Sequence, residues 1–349
     1  MDSPFGERVL DGAREQGMKV AVVRTREDFR FAVAPRRGMD VPSAEVLRGE
    51  VWENLFWESG TGVVDPALCD VNGRAWLRGF FGGMLTCGPE NVGPPAEGFP
   101  SHGSLSMTPA GEVVSRTEGE RLVVEGKMAV RYALTGPHFE VRRRVVGLSG
   151  RTAIRFEDRV TNVGSHPAEL MWKYHPCFAV CGPGAILAPV VRARARDVLA
   201  DLGLEDWRRV AAPADACEFE QVFDLEVEPG QDGFVTVAGL PDDQERPAVY
   251  VRYRPDNLSR LTLWKHPREG VIGIEPGNCD VMGISTERER GTLEVLAAGA
   301  SRDFEVEIGF VVGSRGIEGL PKEGAATRTV GLVGSDGTPR QGSPAREAT

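Results

Sequence analysis

The chain is a long succession of short apolar segments, in many of which apolar and polar residues alternate, separated by clusters of Gly, Pro, Asn and Asp. Segments such as "FRFAVAP", "HFEVRRRVVGL" and "AVYVRYRP" are typical of strands that bury one face. Helical patterns are few, the best being "ERVLDGAREQG" and "DPALCDVNGRAWLRGF". Many strands without interleaved helices predict an all-β protein, a large antiparallel sandwich or barrel, rather than a doubly wound α/β sheet.

A length of 349 residues suits one large domain or two ordinary ones. No linker or change of composition interrupts the interior of the chain, so we expect residues 1–318 to form a single domain. From residue 319 the composition changes to small polar residues. This change predicts a partly disordered C-terminal tail over residues 319–349, with "RTVGLV" added to a sheet edge.

The formal net charge of -10 at pH 7 argues against a nucleic-acid-binding protein, which needs a basic face for the phosphates. The N-terminus lacks a basic segment followed by an apolar one, and no apolar stretch is long enough to span a membrane. We therefore expect a cytoplasmic protein whose partner is a small molecule rather than nucleic acid or a membrane. The sequence leaves open whether the chain is a monomer or a homodimer.

The six cysteines are dispersed and form no CxxC pair, which is typical of small buried apolar side chains. A zinc site from His175, Cys177 and Cys181 is the alternative, but no second ligand pair accompanies these residues. A cupin-like metal enzyme would need closely spaced histidines, and no two histidines are neighbours here. We therefore expect neither a metal ion nor another cofactor.

Two histidines and one glutamate are candidates for a role in a functional site. His175 precedes a proline at the predicted end of an apolar strand, as His266 also does, so its side chain is expected to project where the strand leaves the sheet. His102 lies in a Gly- and Ser-rich loop with little reason to bury an imidazole. Glu275 follows an apolar strand and shares a face with small residues, which leaves room for a ligand. A core histidine and a turn-capping glutamate remain the plainer alternatives.

Other polar residues lie in apolar surroundings, where each could bind a hydroxyl-rich ligand or simply satisfy loop carbonyls. These residues are Arg78, Asn91, Lys173 and Lys265. The run Arg142-Arg143-Arg144 is typical of a solvated strand with one inward-facing arginine.

Several of these segments together resemble a known family. "RVTNVGSHPAELMWKYHPCF" and "LTLWKHP" followed by "GVIGIEPGN" resemble the histidine- and glutamate-bearing segments of aldose 1-epimerases (galactose mutarotases) and hexose-6-phosphate epimerases. "VLAAGASRDFEVEIGF" is similar to their closing strand pair, and "GGMLTCGPENVG" with a following "HG" resembles an uncharacterised mutarotase-like branch. The resemblance covers most of the chain and implies a galactose-mutarotase-like β-sandwich.

Position by position, the resemblance implies that His175 is the general acid and Glu275 the general base. It implies that His102 contacts the ring oxygen or a nearby hydroxyl, and that Arg78 and Asn91 bind sugar hydroxyls.

The chain also departs from the family pattern. Cys177 stands where tyrosine or asparagine is common, and Pro89-Glu90 interrupts the usual loop. The substrate-binding aspartate has no secure counterpart, Asp242 and Asp243 being the candidates.

Interconverting the two anomers of an aldose requires removal of a proton from the C1 hydroxyl and delivery of one to the ring oxygen. One base and one acid suffice, without a metal. The expected function is therefore that of an aldose 1-epimerase acting on a free or modified sugar through ring opening. Two alternatives remain: a non-catalytic carbohydrate-binding or regulatory protein of the same fold, and an isomerase or lyase acting on an acidic sugar held by Lys173, Lys265 and arginines.

Overall fold

The computed structural model describes residues 3–70, 72–134, 136–180, 182–212, 218–243, 245–311 and 330–340. The prediction of an all-β protein is confirmed, because strands make up nearly all of its regular structure.

The first half of the chain contributes twelve strands: β1 Phe5–Leu10, β2 Met18–Arg26, β3 Phe29–Ala34, β4 Asp40–Arg48, β5 Val51–Asn54, β6 Met84–Cys87, β7 Gly111–Glu118, β8 Arg121–Arg131, β9 His138–Leu148, β10 Ala153–Asn162, β11 Ala168–Leu170 and β12 Lys173–Ala179. The second half contributes β13 Gly184–Leu187, β14 Val190–Ala195, β15 Arg209–Val210, β16 Gln221–Val227, β17 Val235–Pro241, β18 Ala248–Tyr253, β19 Arg260–His266, β20 Val271–Gly277, β21 Glu294–Leu296, β22 Ser301–Val311, β23 Gly331–Val333 and β24 Pro339–Arg340.

Helices are short in the part of the chain that the structure describes. The two α-helices are α1 Val198–Asp201 and α2 Ile284–Glu289. Three 3₁₀ helices span Pro66–Leu68, Gly73–Arg78 and Leu105–Met107. None of these helices is long and apolar enough to cross a membrane.

The chain divides into two compact units, the first comprising residues 1–176 and 277–307, the second residues 177–276 and 308–349. The division falls inside strands β12, β20 and β22, whereas the sequence predicts one domain over residues 1–318. The sequence pattern contains no sign of it, because a strand that passes from one compact unit to another keeps the same alternation throughout.

In the first unit, strands follow the order β1-β2-β3-β4-β6-β12 in one antiparallel sheet and β10-β9-β8-β7 in another. Side chains of the two sheets pack face to face: a Cβ added at Gly147 of β9 would lie 2.9 Å from the Phe31 ring of β3. The core between them is built from Val, Phe and Ile side chains that are fully buried, as alternation along each strand requires.

One buried ion cluster links these two sheets. Arg143 of β9 donates to both carboxylate oxygens of Asp158 (2.8 and 3.0 Å) and to Asp40 Oδ1 (2.8 Å). The Tyr174 hydroxyl of β12 donates to Asp158 Oδ2 at 2.7 Å. Burial raises the pKa of Asp40 to about 6, and Arg143 acts against that rise. The prediction of one inward arginine in the triplet is confirmed, since Arg143 is fully buried while its two neighbours are not.

In the second unit, the order β20-β19-β16-β14-β23-β24 forms one sheet, and β15-β13-β17-β18 belongs to another. β23 pairs in parallel with β14, so the prediction that "RTVGLV" extends a sheet is confirmed for Gly331–Val333. Residues 319–329 and 341–349 of the predicted tail lie outside the described residues.

Of the two helix predictions, the first was wrong and the second is confirmed only in part. "ERVLDGAREQG" forms β1 and a turn, because Phe5–Leu10 pairs along its whole length with β2 and the Gln16-Gly17 pair has positive φ. "DPALCDVNGRAWLRGF" forms two separate 3₁₀ helices. Pro66 begins the first helix, and the second begins at Gly73, whose φ of +57° a continuous α-helix cannot contain.

Three of the described cysteines, Cys87, Cys177 and Cys279, are buried as expected, whereas Cys69 is half-buried. Cys181 and Cys217 lie outside the described residues.

Candidate functional site

His175 lies inside β12, on the face of the strand opposite to Tyr174. Because successive strand residues point to opposite faces, the bond from Tyr174 to Asp158 directs His175 away from the sandwich core. The expectation that the His-Pro pair ends this strand was wrong, since β12 continues through Pro176 to Ala179. Pro176 is paired with Met84, the first residue of β6, so it lies at the end of that ladder, where a strand tolerates a proline. For His266 the expectation is confirmed: β19 ends there.

His102 is brought to His175 by a loop of residues 88–103, which we call the His102 loop. The ring centroids of the two histidines are 6.0 Å apart and the rings meet edge to face. His102 has a φ of +57°, a left-handed conformation that is uncommon for residues other than glycine. Strain of this kind persists only where the surrounding structure enforces it, and it is concentrated at functional sites.

Two aromatic side chains line the same place. Trp76, in the second 3₁₀ helix, stacks on His102 with 4.4 Å between ring centroids. Phe80 lies 4.9 Å from Trp76 and 5.6 Å from His175. The buried Arg37 donates to the carbonyl of Gly79 at 2.9 Å and so fixes the chain between them. The result is a cluster of two imidazoles and two apolar rings within one unit.

The His102 loop also contains a buried carboxyl group. Glu90 is fully buried, and burial raises its pKa to about 7, while hydrogen bonds from Ser104 and Tyr132 act in the opposite direction. The Tyr132 hydroxyl donates to Glu90 Oε1 at 3.3 Å. Pro89-Glu90, which in sequence is only an interruption of the family's usual loop, therefore places in this loop a carboxyl group whose pKa is raised by burial.

Glu275 belongs to the second unit, where it lies within β20 rather than after it, because the strand continues to Gly277. The carboxyl group is buried, and a Cβ added at Gly273 would lie 2.6 Å from its Oε1 and 3.2 Å from the Trp264 ring. The prediction that Glu275 shares a face with a small residue is thus confirmed. Trp264 lies on that face too, and its Nε1 donates to Glu220 Oε2 at 3.0 Å.

Glu220 is a carboxylate that the sequence interpretation missed. Burial alone would raise its pKa, but hydrogen bonds from Arg196 and Trp264 outweigh that effect and lower the pKa. The two candidate aspartates are surface residues of a turn after β17: Asp242 pairs with Arg209 at 3.6 Å, and the Asp243 carboxylate accepts from the Glu245 backbone.

Lys265 does not share the face of Glu275. It is the strand neighbour of Trp264, so it points to the opposite side of β19. There its Nζ donates to the carbonyls of Trp207 and Arg209, each at 3.2 Å. It also borders a cavity of about 420 Å³ that is lined in addition by Gln221 and by Val and Ile side chains.

Lys173 is on the same face of β12 as His175, two residues away, as the alternation predicts. Its side chain has no exposed surface and packs against Gly277, where an added Cβ would lie 3.0 Å from that of Lys173. Burial raises the pKa of the nearby Cys279 thiol to about 12, and the Lys173 ammonium acts in the opposite direction.

The remaining two candidates differ in exposure. Arg78 ends the 3₁₀ helix that carries Trp76, and its side chain is exposed. Asn91 is fully buried in the His102 loop, where its amide donates to the carbonyls of Pro94 (2.8 Å) and Pro100 (2.9 Å). The plainer interpretation, that such a residue satisfies loop carbonyls, therefore describes Asn91.

Within the described residues, no three His, Cys, Asp or Glu side chains are grouped so that they could hold a metal ion. The His175, Cys177 and Cys181 alternative includes a residue outside that set.

Residues 15–310 match the model of a family described as a domain of unknown function, DUF4432. The chain belongs to the DUF4432 family. No curated protein matches this DUF4432 chain significantly in sequence.

Several solved structures share the fold of this chain. A protein from Klebsiella pneumoniae described as a "putative aldose 1-epimerase" superposes with a TM-score of 0.84 at 22% identity, over 99% of this chain and 91% of that one. A galactose mutarotase-like protein from Clostridium acetobutylicum gives 0.57 at 11% identity, over 88% and 98% of the two chains. A galactose mutarotase related enzyme from Lactobacillus acidophilus gives 0.57 at 12%, over 83% and 96%. The galactose-mutarotase-like fold and the resemblance to an uncharacterised branch are thereby confirmed.

The sequence interpretation missed the aromatic residues beside the two histidines and the one beside Glu275. Trp76 and Phe80 belong to a segment that the sequence predicts as a helix, and Trp264 to a predicted strand. The signal that could have found them is the nearness in sequence of each tryptophan to a candidate residue. "AWLRGF" shortly precedes the His102 loop, and "LTLWKHP" shortly precedes Glu275.

Proposed function

We propose that this DUF4432 protein is an aldose 1-epimerase that interconverts the α and β anomers of a sugar by general acid and base catalysis. The observation that carries the proposal is the meeting of His102 and His175, 73 residues apart in sequence, at 6.0 Å between ring centroids beside Trp76 and Phe80. Likeness of fold to proteins described as a "putative aldose 1-epimerase" and a "galactose mutarotase-like protein" supports it.

In the proposed mechanism, His175 delivers a proton to the ring oxygen while Glu275 removes one from the C1 hydroxyl. The ring opens, the aldehyde turns about the C1–C2 bond, and the same groups act in reverse to close the ring. Each group working in this way typically contributes about 10²- to 10⁴-fold. The assignment of Glu275 as the base rests on the resemblance of "GVIGIEPGN" to the glutamate segment of the family.

We further propose that His102 donates to or accepts from the ring oxygen or a neighbouring hydroxyl, and that the Trp76 and Phe80 rings cover an apolar face of the sugar. Arg78, which is exposed at the end of the helix that carries Trp76, is proposed to meet a hydroxyl or an anionic substituent. Lys265 is left out of the proposed site because it lies on the face of β19 opposite to Trp264.

The two alternative functions have less support. A binding module would need the strained His102 for a ligand contact, but it has no need of an acid and a base such as His175 and Glu275. The acidic-sugar isomerase would hold its substrate through Lys173, Lys265 and arginines, and both lysine side chains are buried.

The proposal is tested by an exchange screen. Purified protein is added to common aldoses and their 6-phosphates, and anomer interconversion is followed by polarimetry and by NMR exchange between the two anomeric protons. We expect at least one sugar to exchange in proportion to enzyme concentration. His175→Asn and Glu275→Gln should each lose at least about 100-fold of that rate while still binding the sugar. Absence of catalysed exchange for every sugar that binds would contradict the proposal.

A further inference from the structure

The His102 loop is closed by backbone bonds around the histidine itself. The His102 N–H donates to the carbonyl of Gly93 at 3.0 Å, and the Gly88 N–H donates to the carbonyl of His102 at 2.9 Å. The base of the loop is attached to the entry of β12, because the Met171 N–H donates to the Pro89 carbonyl at 2.9 Å. This hydrogen bond therefore joins the start of the strand that carries His175 to the loop that carries His102.

The Asn91 side chain makes three hydrogen bonds that hold this loop in place. Its two N–H groups donate to the Pro94 and Pro100 carbonyls, and its Oδ1 accepts from the Ile284 N–H at 3.0 Å. Pro100 is two residues from His102. Both amide hydrogens are thus used within the protein, which leaves Asn91 without a donor for a sugar hydroxyl.

The segment that leads into α2 supports the same loop from the other side. The Gly283 N–H donates to the Val92 carbonyl at 2.8 Å. Gly93, with a φ of +110°, approaches so closely that an added Cβ would lie 2.4 Å from the Val281 carbonyl oxygen. On the surface, Glu97 accepts from Ser285 at 2.8 Å and pairs with Arg288. Residues 91–97 are therefore attached to residues 281–288 at several points.

We propose that Asn91 is a positioning residue, which together with the segment before α2 holds His102 in its strained conformation beside His175. This inference deepens the proposed function, on which its kinetic part rests. A strained residue returns to an ordinary conformation when its surroundings allow it, so loss of the Asn91 bonds should let His102 move. A displacement of about 1 Å at a catalytic group can cost about 10²-fold in rate.

The first readout does not depend on activity. The chain has five histidines, so ¹³C-labelling of histidine gives five ring Cε1–H signals, and the His102→Asn variant assigns the one from His102. Trp76 stacks on that ring at 4.4 Å, and its ring current makes the signal sensitive to small movements. We expect Asn91→Ser and the isosteric Asn91→Asp to shift or broaden the His102 signal.

Asn162 provides a matched control in the same unit. It is also fully buried, donates to the carbonyls of His166 (2.8 Å) and Leu296 (2.9 Å), and accepts from the Gly164 N–H at 3.0 Å. Asn162→Ser should cost similar stability, because it removes the same number and type of bonds. It should leave the His102 signal where it is.

The kinetic readout separates positioning from sugar binding. For a positioning role, Asn91→Ser lowers kcat for anomer exchange by about 10- to 100-fold with little change in KM, while Asn162→Ser leaves kcat near that of the native protein. An unchanged His102 signal in both folded Asn91 variants would overturn the inference, as would weaker sugar binding at unchanged kcat. If the native protein exchanged no sugar, the proposed function would fail, and the NMR signal would still decide on the positioning of His102.

Discussion

The backbone of His102 has a strained conformation at the candidate site. A non-glycine residue at a φ of +57° costs about 1–2 kcal/mol relative to an ordinary conformation. The cost falls on the residue that stacks on Trp76 and meets His175 edge to face. Because the strain is local, its contribution to stability and the contribution of the imidazole to activity can be separated by substitution.

Asparagine tolerates the left-handed conformation, whereas a β-branched residue does not. We therefore expect His102→Asn to keep the free energy of unfolding within about 1 kcal/mol of the native value, and His102→Val to lose about 1–3 kcal/mol. Both should lower the anomer exchange rate by at least about tenfold. Denaturant unfolding beside the exchange assay measures the two effects, and equal stability losses in the two variants would show that strain at this residue is unimportant.

Glu90 predicts an unusual pH dependence of stability. Burial raises its pKa to about 7 in the folded protein, from an ordinary value near 4.5. The folded state thus binds the proton more tightly than the unfolded state does. Its contribution to stability is fully present below about pH 4.5 and is lost as the pH rises to about 7. Asp40, with its pKa raised to about 6, contributes with the same sign.

We expect Glu90→Gln to be more stable than the native protein at pH 8, by up to about 3 kcal/mol, and to lose that advantage by pH 5. Unfolding measured at a series of pH values tests this difference. Glu97→Gln is the control: the pKa of Glu97 is lowered by hydrogen bonds from Arg288 and Ser285, so its substitution should change stability little and in the opposite sense. A Glu90→Gln curve parallel to the native one would contradict the assignment.

At the scale of the strand, β12 owes its position to the ion cluster behind it. Tyr174 is bound to Asp158, which Arg143 holds together with Asp40, and all four side chains are buried. Without the Arg143 cation, the carboxyl groups of Asp40 and Asp158 would stay buried with no positive charge to pair with from this residue. The face of β12 that carries His175 is thereby fixed by the residues on its other face.

Arg143→Met should lower the free energy of unfolding by about 3–5 kcal/mol, the usual effect of removing one partner of a buried pair. Arg142→Met, at the exposed neighbouring position, should change it by less than about 0.5 kcal/mol. Urea unfolding of the two variants compares them directly. If the two losses were alike, the cluster would not be what stabilises this region.

The elements that sequence could predict are those with a strong two-residue period. "HFEVRRRVVGL" coincides with β9 from His138 to Leu148, including its inward arginine. Prediction failed where tertiary pairing decides: Phe5–Leu10 is a strand only because β2 lies beside it. It failed also at His175 and Glu275, where a following proline indicated a strand end although both strands continue through it. A proline has no N–H to donate to the neighbouring strand. A strand tolerates this where the backbone at that position needs no such hydrogen bond.

At the scale of the whole molecule, fold and family agree with the resemblance read from the motifs. The sequence offers His102, His175 and Glu275 as candidates because each lies in a short motif with restricted neighbours, and the structure brings the two histidines together. It could not assign Asn91, Lys173 or Lys265, because whether a buried polar side chain faces a ligand or a backbone carbonyl depends on contacts between segments far apart in sequence. Asn91 bonds to Ile284, and Lys265 to Trp207, and no local pattern contains either pair.

The most direct measurement of the central claim is saturation transfer between the anomeric protons of an aldose that binds the protein. Irradiation of one anomer should reduce the signal of the other in proportion to the concentration of native protein. His175→Asn, at equal occupancy by the same sugar, should reduce it no more than the uncatalysed reaction does. Transfer at the native rate in His175→Asn, or none with the native protein for any aldose that it binds, would contradict the account.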